Sequence, residues 1–504
     1  MLRFYAKVLC LLPFFITKLL CLLPRDEVND IDIQQKNDIM SKGSEKGIDM
    51  YRKGIEKLKA WMEKKRRKPM LLLGARQVGK TWLMQEFARL HYKNVVYVRF
   101  DKEPFIKSSF EKDYNVSRLL MDLQLHSDTD IVPGETLILL DEIQECPSAL
   151  TSLKYFCEEA GEQHIIAAGS LLGVAEHKGT GFPVGKVERM YLGPLSFTEF
   201  LMATKQERLL RVLQCRDWET ISALHERFEE QLRLYYFIGG MPEAVATYME
   251  TKSFSSVREV QLNLLEDYRN DFSKHATTSE THLITQIWNS IPVQLSREDK
   301  RFIQSEVSPG VKSDRLRGPI RWLTDAGMVN LVRRVTKPEM PLDGFCDACF
   351  KMFFLDVGLL AARCRLRPAA LLEGKKVFAQ YKGALTEQYV QQQLVTELGI
   401  RPYYWSAERA SAEIDFLYES ESEVIPMEVK AERNLQAKSL QSFYRRYRRP
   451  LAVRLSMSPA YAVQDIHVAA TKDTVGGSYR LIDMPLYALS LLEEVVCDVL
   501  HSPL

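Results

Sequence analysis

Short apolar runs alternate with amphipathic segments between residues 50 and 200 of this sequence. The runs are rich in leucine, isoleucine and valine, which is typical of buried strands, and the segments between them have helical spacing. Strands are predicted at residues 70–73, 94–100, 136–140, 164–170 and 182–192, with helices at 51–68, 82–89 and 105–130. Strands that alternate with helices usually form a parallel sheet, so the pattern predicts a three-layer α/β domain.

The first strand is followed by a loop that fits the pattern G-x-x-x-x-G-K-[ST], the phosphate-binding loop of nucleotide-hydrolysing proteins. Its residues are Gly74, Ala75, Arg76, Gln77, Val78, Gly79, Lys80 and Thr81. Gly74 and Gly79 allow the backbone to turn N–H groups toward a polyphosphate, and the next helix adds its positive dipole end. Lys80 is predicted to reach the β- and γ-phosphates and Thr81 to bind Mg²⁺. The alternative is an ordinary turn containing glycine and lysine.

Two carboxylates, Asp141 and Glu142, follow the apolar run at 136–140. Asp141 is predicted to hold the Mg²⁺ shell, and Glu142 to orient and deprotonate the attacking water. Ser170, at the end of the next strand, is the candidate sensor of the γ-phosphate, and its alternative role is to cap a following helix. The predicted catalytic residues are therefore Lys80, Glu142 and Ser170.

Several of these segments together resemble the AAA-type ATPases of a large prokaryotic group. The resemblance rests on the strand that ends in Gly169-Ser170 and on the segments GARQVGKT (74–81), LILLDEIQECP (137–147), GPLSFTEFL (193–201) and FIGGMPEA (237–244). In that group the ATPase is fused to a C-terminal domain of unknown function. The resemblance implies ATP rather than GTP, and the sequence agrees because it contains no guanine-reading N-K-x-D motif.

The middle of the chain is predicted to be a helical lid at 201–285 and a winged helix at 286–344. Residues 313–327 would form the recognition helix of the winged helix, and residues 328–335 its wing strand. Arg315, Arg317 and Arg321 would then face DNA phosphates. The alternative is that the winged helix is an internal packing module, as it often is in ATPases.

Residues 345–504 are predicted to form a further α/β domain, whose αβββαβ order resembles the PD-(D/E)xK restriction-endonuclease-like core. The resemblance implies that Glu387, Asp415 and Glu428 would ligate a divalent cation, and that Lys430 would position the water. E-x-K also occurs elsewhere in this chain, but only Glu428 and Lys430 lie on an apolar strand beside another acidic strand. Nuclease activity therefore stays open. The run of aromatic and arginine residues at 443–449 suits a nucleic-acid backbone or, alternatively, a solvated helix end.

Length and composition limit these interpretations. A chain of 504 residues suggests about two to four domains, and a net charge of +2 gives no global attraction to nucleic acid. Nine scattered cysteines indicate a reducing cytoplasm. Residues 1–49 are interpreted as a leader that is unstructured or lies upstream of the true start. Lys18 and Pro13 interrupt its apolar run, so no stable membrane insertion is expected.

Taken together, the sequence predicts a cytoplasmic AAA-type ATPase, with ATP and Mg²⁺ as cofactors, whose C-terminal domain acts on DNA or on another protein. Lys186 or Arg189 would act on a neighbour's nucleotide if the protein is a homo-oligomer, and the alternative is that both are surface charges. The main alternative function is a nucleotide-gated binding switch with a catalytically silent C-terminal domain. A small-molecule kinase is a third reading, but it leaves the C-terminal part of the chain unexplained.

Overall fold

The computed structural model of the chain describes residues 50–170, 181–275, 278–308, 310–369, 376–407, 412–431, 438–470 and 475–501. The predicted leader, residues 1–49, lies outside these residues. None of the helices that the structure describes is long and apolar enough to cross a membrane.

The first sheet in the described part of the chain contains five parallel strands in the order β2-β3-β4-β1-β5. The strands are β1 (Met70–Leu73), β2 (Asn94–Arg99), β3 (Thr136–Asp141), β4 (His164–Ala168) and β5 (Glu188–Tyr191). Strand β4 therefore lies between the strand before the glycine-rich loop and the strand that ends in Asp141. Since the carboxyl ends of parallel strands share one edge, the segments that follow β1, β3 and β4 meet there. The predicted parallel α/β arrangement is confirmed.

Helices pack against this sheet and close its core. They are α1 (Gly54–Met62), α2 (Lys80–His91), α3 (Pro104–Lys112), α4 (Val116–Ser127) and α5 (Pro147–Glu159). The region predicted to be helical, residues 105–130, contains two helices, because the chain breaks between α3 and α4. Asn115 causes the break: its side-chain oxygen accepts a hydrogen bond from the Arg118 N–H at 3.0 Å, which caps α4 and needs a non-helical backbone.

The region predicted as a helical lid is helical in the described residues. Its helices are α6 (Phe197–Ala203), α7 (Glu207–Gln214), α8 (Trp218–Ala223), α9 (His225–Ile238), α10 (Pro242–Thr251), α11 (Phe254–His275) and α12 (Thr278–Leu295). A tight turn at Gly239 and Gly240 joins α9 to α10. Gly239 has a φ of 76°, and the Gly240 N–H donates to the buried Asp356 carboxylate at 2.7 Å. Because a Cβ on Gly239 would collide with Asp356, only glycine fits this turn.

A second sheet contains eight described strands in the order β12-β13-β11-β10-β9-β8-β6-β7. The strands are β6 (Val329–Val335), β7 (Cys346–Phe354), β8 (Tyr403–Ser406), β9 (Glu413–Glu419), β10 (Val424–Lys430), β11 (Leu451–Ser456), β12 (Ala462–Val468) and β13 (Gly477–Pro485). The accompanying helices are α13 (Ser313–Asp325), α14 (Val357–Arg363), α15 (Lys376–Thr396), α16 (Lys438–Tyr447) and α17 (Leu492–His501).

The strand predicted as the wing of a winged helix is β6, and it is part of this second sheet. It pairs with β7 in antiparallel orientation and with β8 in parallel, where Arg333 is opposite Tyr403. The sheet therefore continues across the boundary predicted between residues 344 and 345. The order α15-β8-β9-β10-α16-β11 is the αβββαβ order expected from the sequence. The winged helix and the restriction-endonuclease-like core stay predictions.

A buried arginine just before α1 ties this N-terminal helix to the glycine-rich loop. Arg52 is 3% exposed, and its guanidinium donates to the Val78 carbonyl at 2.8 Å and to the Gly193 carbonyl at 2.7 Å. Its Nε donates to Glu199 on α6 at 3.2 Å. Glu199 also accepts from the backbone N–H groups of Lys53, at 2.7 Å, and Ser196, at 2.9 Å. One guanidinium thus fixes three segments that are far apart in the chain.

Replacing Arg52 by Met is expected to lower the free energy of unfolding by about 3 kcal/mol, because it leaves the Glu199 carboxylate and two carbonyls buried without their cation. Equilibrium urea unfolding of the full chain measures this change. The matched control is Lys64→Met, which removes the ion pair between Lys64, two residues beyond α1, and Glu188 on β5; the Lys64 side chain is 51% exposed. The control is expected to cost less than about 1 kcal/mol. Equal losses in the two variants would contradict the assignment.

Candidate nucleotide-binding site

The glycine-rich loop begins after β1 and ends where α2 begins, at Lys80. Gly74 has a φ of 150° and Gly79 a φ of 93°. A Cβ on Gly74 would collide with the Leu192 carbonyl oxygen, which follows the neighbouring strand β5. Gln77 also lies in the left-handed region, with a φ of 64°. The loop therefore has the strand–loop–helix context that its motif requires, and the N–H groups in the first turn of α2 have no partner within the helix.

Lys80 points back into the loop from the first turn of α2. Its Nζ donates to the carbonyl oxygens of Gly74, at 2.9 Å, and Ala75, at 2.7 Å. The residue is only 7% exposed, and this burial lowers the pKa of Lys80 to about 8, against the opposing effect of the Glu142 and Asp141 charges. The ammonium group is thus held inside the loop by two of the loop's own carbonyl oxygens.

Thr81 and Asp141 lie side by side, as a shared Mg²⁺ site requires. The Thr81 hydroxyl donates to Asp141 Oδ2 at 2.8 Å, and Tyr97 on β2 donates to the same oxygen at 2.9 Å. The donor set consists of a hydroxyl and a carboxylate, which are hard oxygen ligands of the kind that Mg²⁺ prefers, so these residues fit the ion. Sequence reasoning missed Tyr97, because its position depends on the order of the strands.

Glu142 and Ser170 meet at the same edge of the sheet. Glu142 has a φ of 51°, and its Oε2 accepts hydrogen bonds from Gln144 Nε2 at 2.6 Å and from the Ser170 hydroxyl at 3.3 Å. Ser170 reaches this point because β4 lies between β1 and β3. The alternative role of Ser170 as a helix cap concerns residues 171–180, which lie outside the described residues.

Helix α11 contacts the loop through residues that the sequence did not single out. Gln77 Nε2 donates to Asp267 at 3.1 Å, and the Tyr268 hydroxyl donates to the Arg76 carbonyl at 2.9 Å. Arg76 forms an ion pair with Asp271. Arg76 and Gln77 occupy variable positions of the loop motif, so nothing in the motif indicates that they bind the lid region.

The carboxylates predicted for the C-terminal domain lie near each other but have different partners. Met427 on β10 pairs with Phe416 on β9. Because the two strands are antiparallel, Glu428 and Asp415 are the next residues beyond this pair. Asp415 accepts from the Val429 N–H at 2.7 Å, and Glu428 pairs with Lys430 at 2.6 Å. Burial, and then the nearby Glu387 charge, raise the pKa of Asp415.

Two lysines neutralise Glu387, the third predicted ligand. Lys300 Nζ lies 2.7 Å from its carboxylate and Lys351 Nζ lies 3.4 Å from it. Lys351 is fully buried and also pairs with Glu413 at 2.6 Å. Among the described residues, no three His, Cys, Asp or Glu side chains are placed to hold a metal ion. The charge of Glu387 is therefore balanced by two lysines of the chain itself.

The candidate nucleic-acid contacts differ in their exposure. Arg315, Arg317 and Arg321 all lie on the exposed face of α13, and Arg317 is 79% exposed beside Asp314. In contrast, Phe443 and Tyr444 are buried in the core under the second sheet. Within run 443–449, which is predicted to suit a nucleic-acid backbone, these two rings therefore pack in the protein core and are not exposed to a ligand.

Comparisons with known proteins give a family for part of the chain. A family model described as an AAA domain matches residues 66–201. Two models described as domains of unknown function, DUF8612 and DUF4143, match residues 229–370 and 382–471. A search of curated proteins found no match.

Among solved structures, the chain is similar to the Walker-type ATPase PABY2304 of Pyrococcus abyssi, with 16% identity, a TM-score of 0.41, and coverage of 62% of this chain and 96% of that chain. Cdc6p from Pyrobaculum aerophilum has 13% identity, a TM-score of 0.25, and coverage of 67% and 98%. The Aeropyrum pernix Orc1 protein in complex with DNA has 13% identity, a TM-score of 0.25, and coverage of 63% and 92%. These TM-scores are too low to assign the whole chain to the fold of any of the three.

The AAA family model and the site geometry agree on the same segment. The model spans the glycine-rich loop, Asp141, Glu142 and Ser170, and these residues meet at one edge of a parallel sheet. Residues 66–201 therefore form a P-loop domain of the AAA ATPase type.

Proposed function

We propose that this protein binds ATP with Mg²⁺ at the loop 74–81 and hydrolyses it. The observation that carries the proposal is the convergence of two pairs at one sheet edge. Thr81 contacts Asp141 at 2.8 Å, and Ser170 contacts Glu142 at 3.3 Å. A metal-ligand pair beside a candidate base is the arrangement that in-line attack of water on a terminal phosphate needs.

Each side chain has a distinct role in this proposal. Lys80 exchanges its two carbonyl partners for phosphate oxygens and neutralises their charge. Glu142, oriented by Gln144 and Ser170, takes the proton of the attacking water. Mg²⁺, held by Thr81 and Asp141, would supply positive charge to the phosphate oxygens.

Replacing Lys80 by Ala is expected to abolish ATP binding, because the loop loses the buried ammonium group that is proposed to bind the β- and γ-phosphates. Replacing Glu142 by Gln is expected to keep ATP binding and to reduce hydrolysis by about 100-fold or more, because the amide cannot accept the proton. Calorimetric titration and phosphate release measure the two effects.

The control for both variants is Lys93→Ala, since Lys93 is 73% exposed and pairs only at the surface with Glu135. It is expected to leave binding and turnover within twofold of wild type. Hydrolysis at the wild-type rate in Lys80→Ala would show that the assigned site is wrong.

For the C-terminal domain we propose a binding role that is set by the nucleotide state, with DNA or another protein as the partner. The observation that favours this role over metal-dependent cleavage is the neutralisation of Glu387 by Lys300 and Lys351. A hydrolytic metal would need these carboxylate oxygens free.

Cleavage assays on single- and double-stranded DNA and on RNA are expected to show no activity of wild type with Mg²⁺ or Mn²⁺. Asp415→Ala and Lys430→Ala are expected to give the same result, with a nuclease of known activity as the positive control. Cleavage by wild type that is lost in both variants would contradict the binding role and restore the nuclease interpretation.

A further inference from the structure

Arg76 lies between the candidate catalytic residues and a helix of the lid region. On one side its Nε is 3.4 Å from the Ser170 hydroxyl, which in turn contacts Glu142. On the other side its Nη1 donates to Asp271 of α11. Only the Ser170 side chain therefore lies between the guanidinium and Glu142, the candidate base. The same guanidinium also contacts Asp271 of α11.

Among the described residues, Arg76 is the cation that pairs with Asp271. The residue is 1% exposed, and its Oδ2 has no hydrogen-bond partner among the described residues. When a buried carboxylate loses its ion-pair partner, its charge stays buried without compensation, which is strongly unfavourable. Arg76, in contrast, keeps about a third of its side chain exposed.

On the basis of the proposed ATPase function, we propose that Arg76 recognises the terminal phosphate of ATP and that Asp271 competes with this phosphate for the guanidinium. Arginine binds phosphate oxygens through a fork of N–H donors, so a γ-phosphate beside Ser170 would draw Arg76 from Asp271. ADP has no group at that position and would leave the ion pair intact. Asp271 is thus a positioning residue that makes α11 sensitive to the third phosphate.

The structure contains a path from α11 to the second sheet. Tyr268 and Phe272 of α11 pack edge-on against Trp288 of α12, with ring centroids 6.3 and 5.8 Å apart. Trp288 packs against Phe354 of β7, with centroids 4.5 Å apart. Because Tyr268 also donates to the Arg76 carbonyl, a shift of α11 that follows release of Asp271 reaches both the loop and the sheet.

The test measures dissociation constants of ATPγS and ADP, each with Mg²⁺, for the full chain. Asp271→Asn is expected to bind ATPγS about tenfold more tightly than wild type, because the competing anion is gone, and to bind ADP with unchanged affinity. Arg76→Gln is expected to lose the preference for ATPγS over ADP. The double variant is expected to behave as Arg76→Gln does, since both members of the competing pair are then absent.

The matched control is Asp267→Asn, one turn earlier on α11, because Asp267 is exposed and accepts a hydrogen bond from the neutral amide of Gln77. It is expected to change neither dissociation constant by more than twofold. Hydrogen exchange of residues 254–275 gives an independent readout: ATPγS, but not ADP, is expected to increase exchange in wild type and not in Arg76→Gln.

Weaker ATPγS binding by Asp271→Asn, or an equal change for both nucleotides, would overturn the competition. So would an exchange pattern that is the same with ATPγS and ADP. Failure of wild type to bind either nucleotide overturns the proposed ATPase function itself, and this outcome is seen before any variant is compared.

Discussion

The hydrogen bond from Thr81 to Asp141 joins two residues that are 60 positions apart in the chain. It can form only because β1 and β3 are held at a fixed distance with β4 between them, and every position of these three strands is buried. The apolar core therefore sets the separation of the polar groups that follow the strand ends. The candidate chemistry at this edge depends on hydrophobic packing rather than on attraction among the charged residues themselves.

The two acidic clusters of the molecule differ in the cations that the chain supplies to them. In the described residues, Asp141 and Glu142 accept from hydroxyl, amide and backbone donors and form no ion pair. Around Glu387, buried ammonium groups complete the charge balance, because an unpaired buried carboxylate would be costly. The two clusters therefore differ in that Glu387 is paired with two lysines of the chain, whereas Asp141 and Glu142 accept hydrogen bonds from uncharged donors.

How far the sequence could predict the structure depends on the distance along the chain between interacting residues. The strands β1 to β4 and the loop 74–81 follow from local spacing, whereas the strand predicted at 182–192 is confined to Glu188–Tyr191. The break at Asn115 is also local, because the asparagine caps a new helix within an otherwise helical pattern. Tyr97 and Asp271 could not be found, because they reach the site only through strand order and helix packing. The burial of Phe443 and Tyr444 likewise depends on which face of α16 meets the second sheet.

The pairing of β6 with both β7 and β8 has a practical consequence for dividing this protein into fragments. A piece that starts at residue 345 would keep β7 and β8 but lose the strand between them. The backbone N–H and C=O groups that now bond to β6 would be exposed at two open edges, which is a known cause of self-association. A fragment designed to express the C-terminal region alone should therefore include α13 and β6, so that β7 and β8 keep the strand with which they pair.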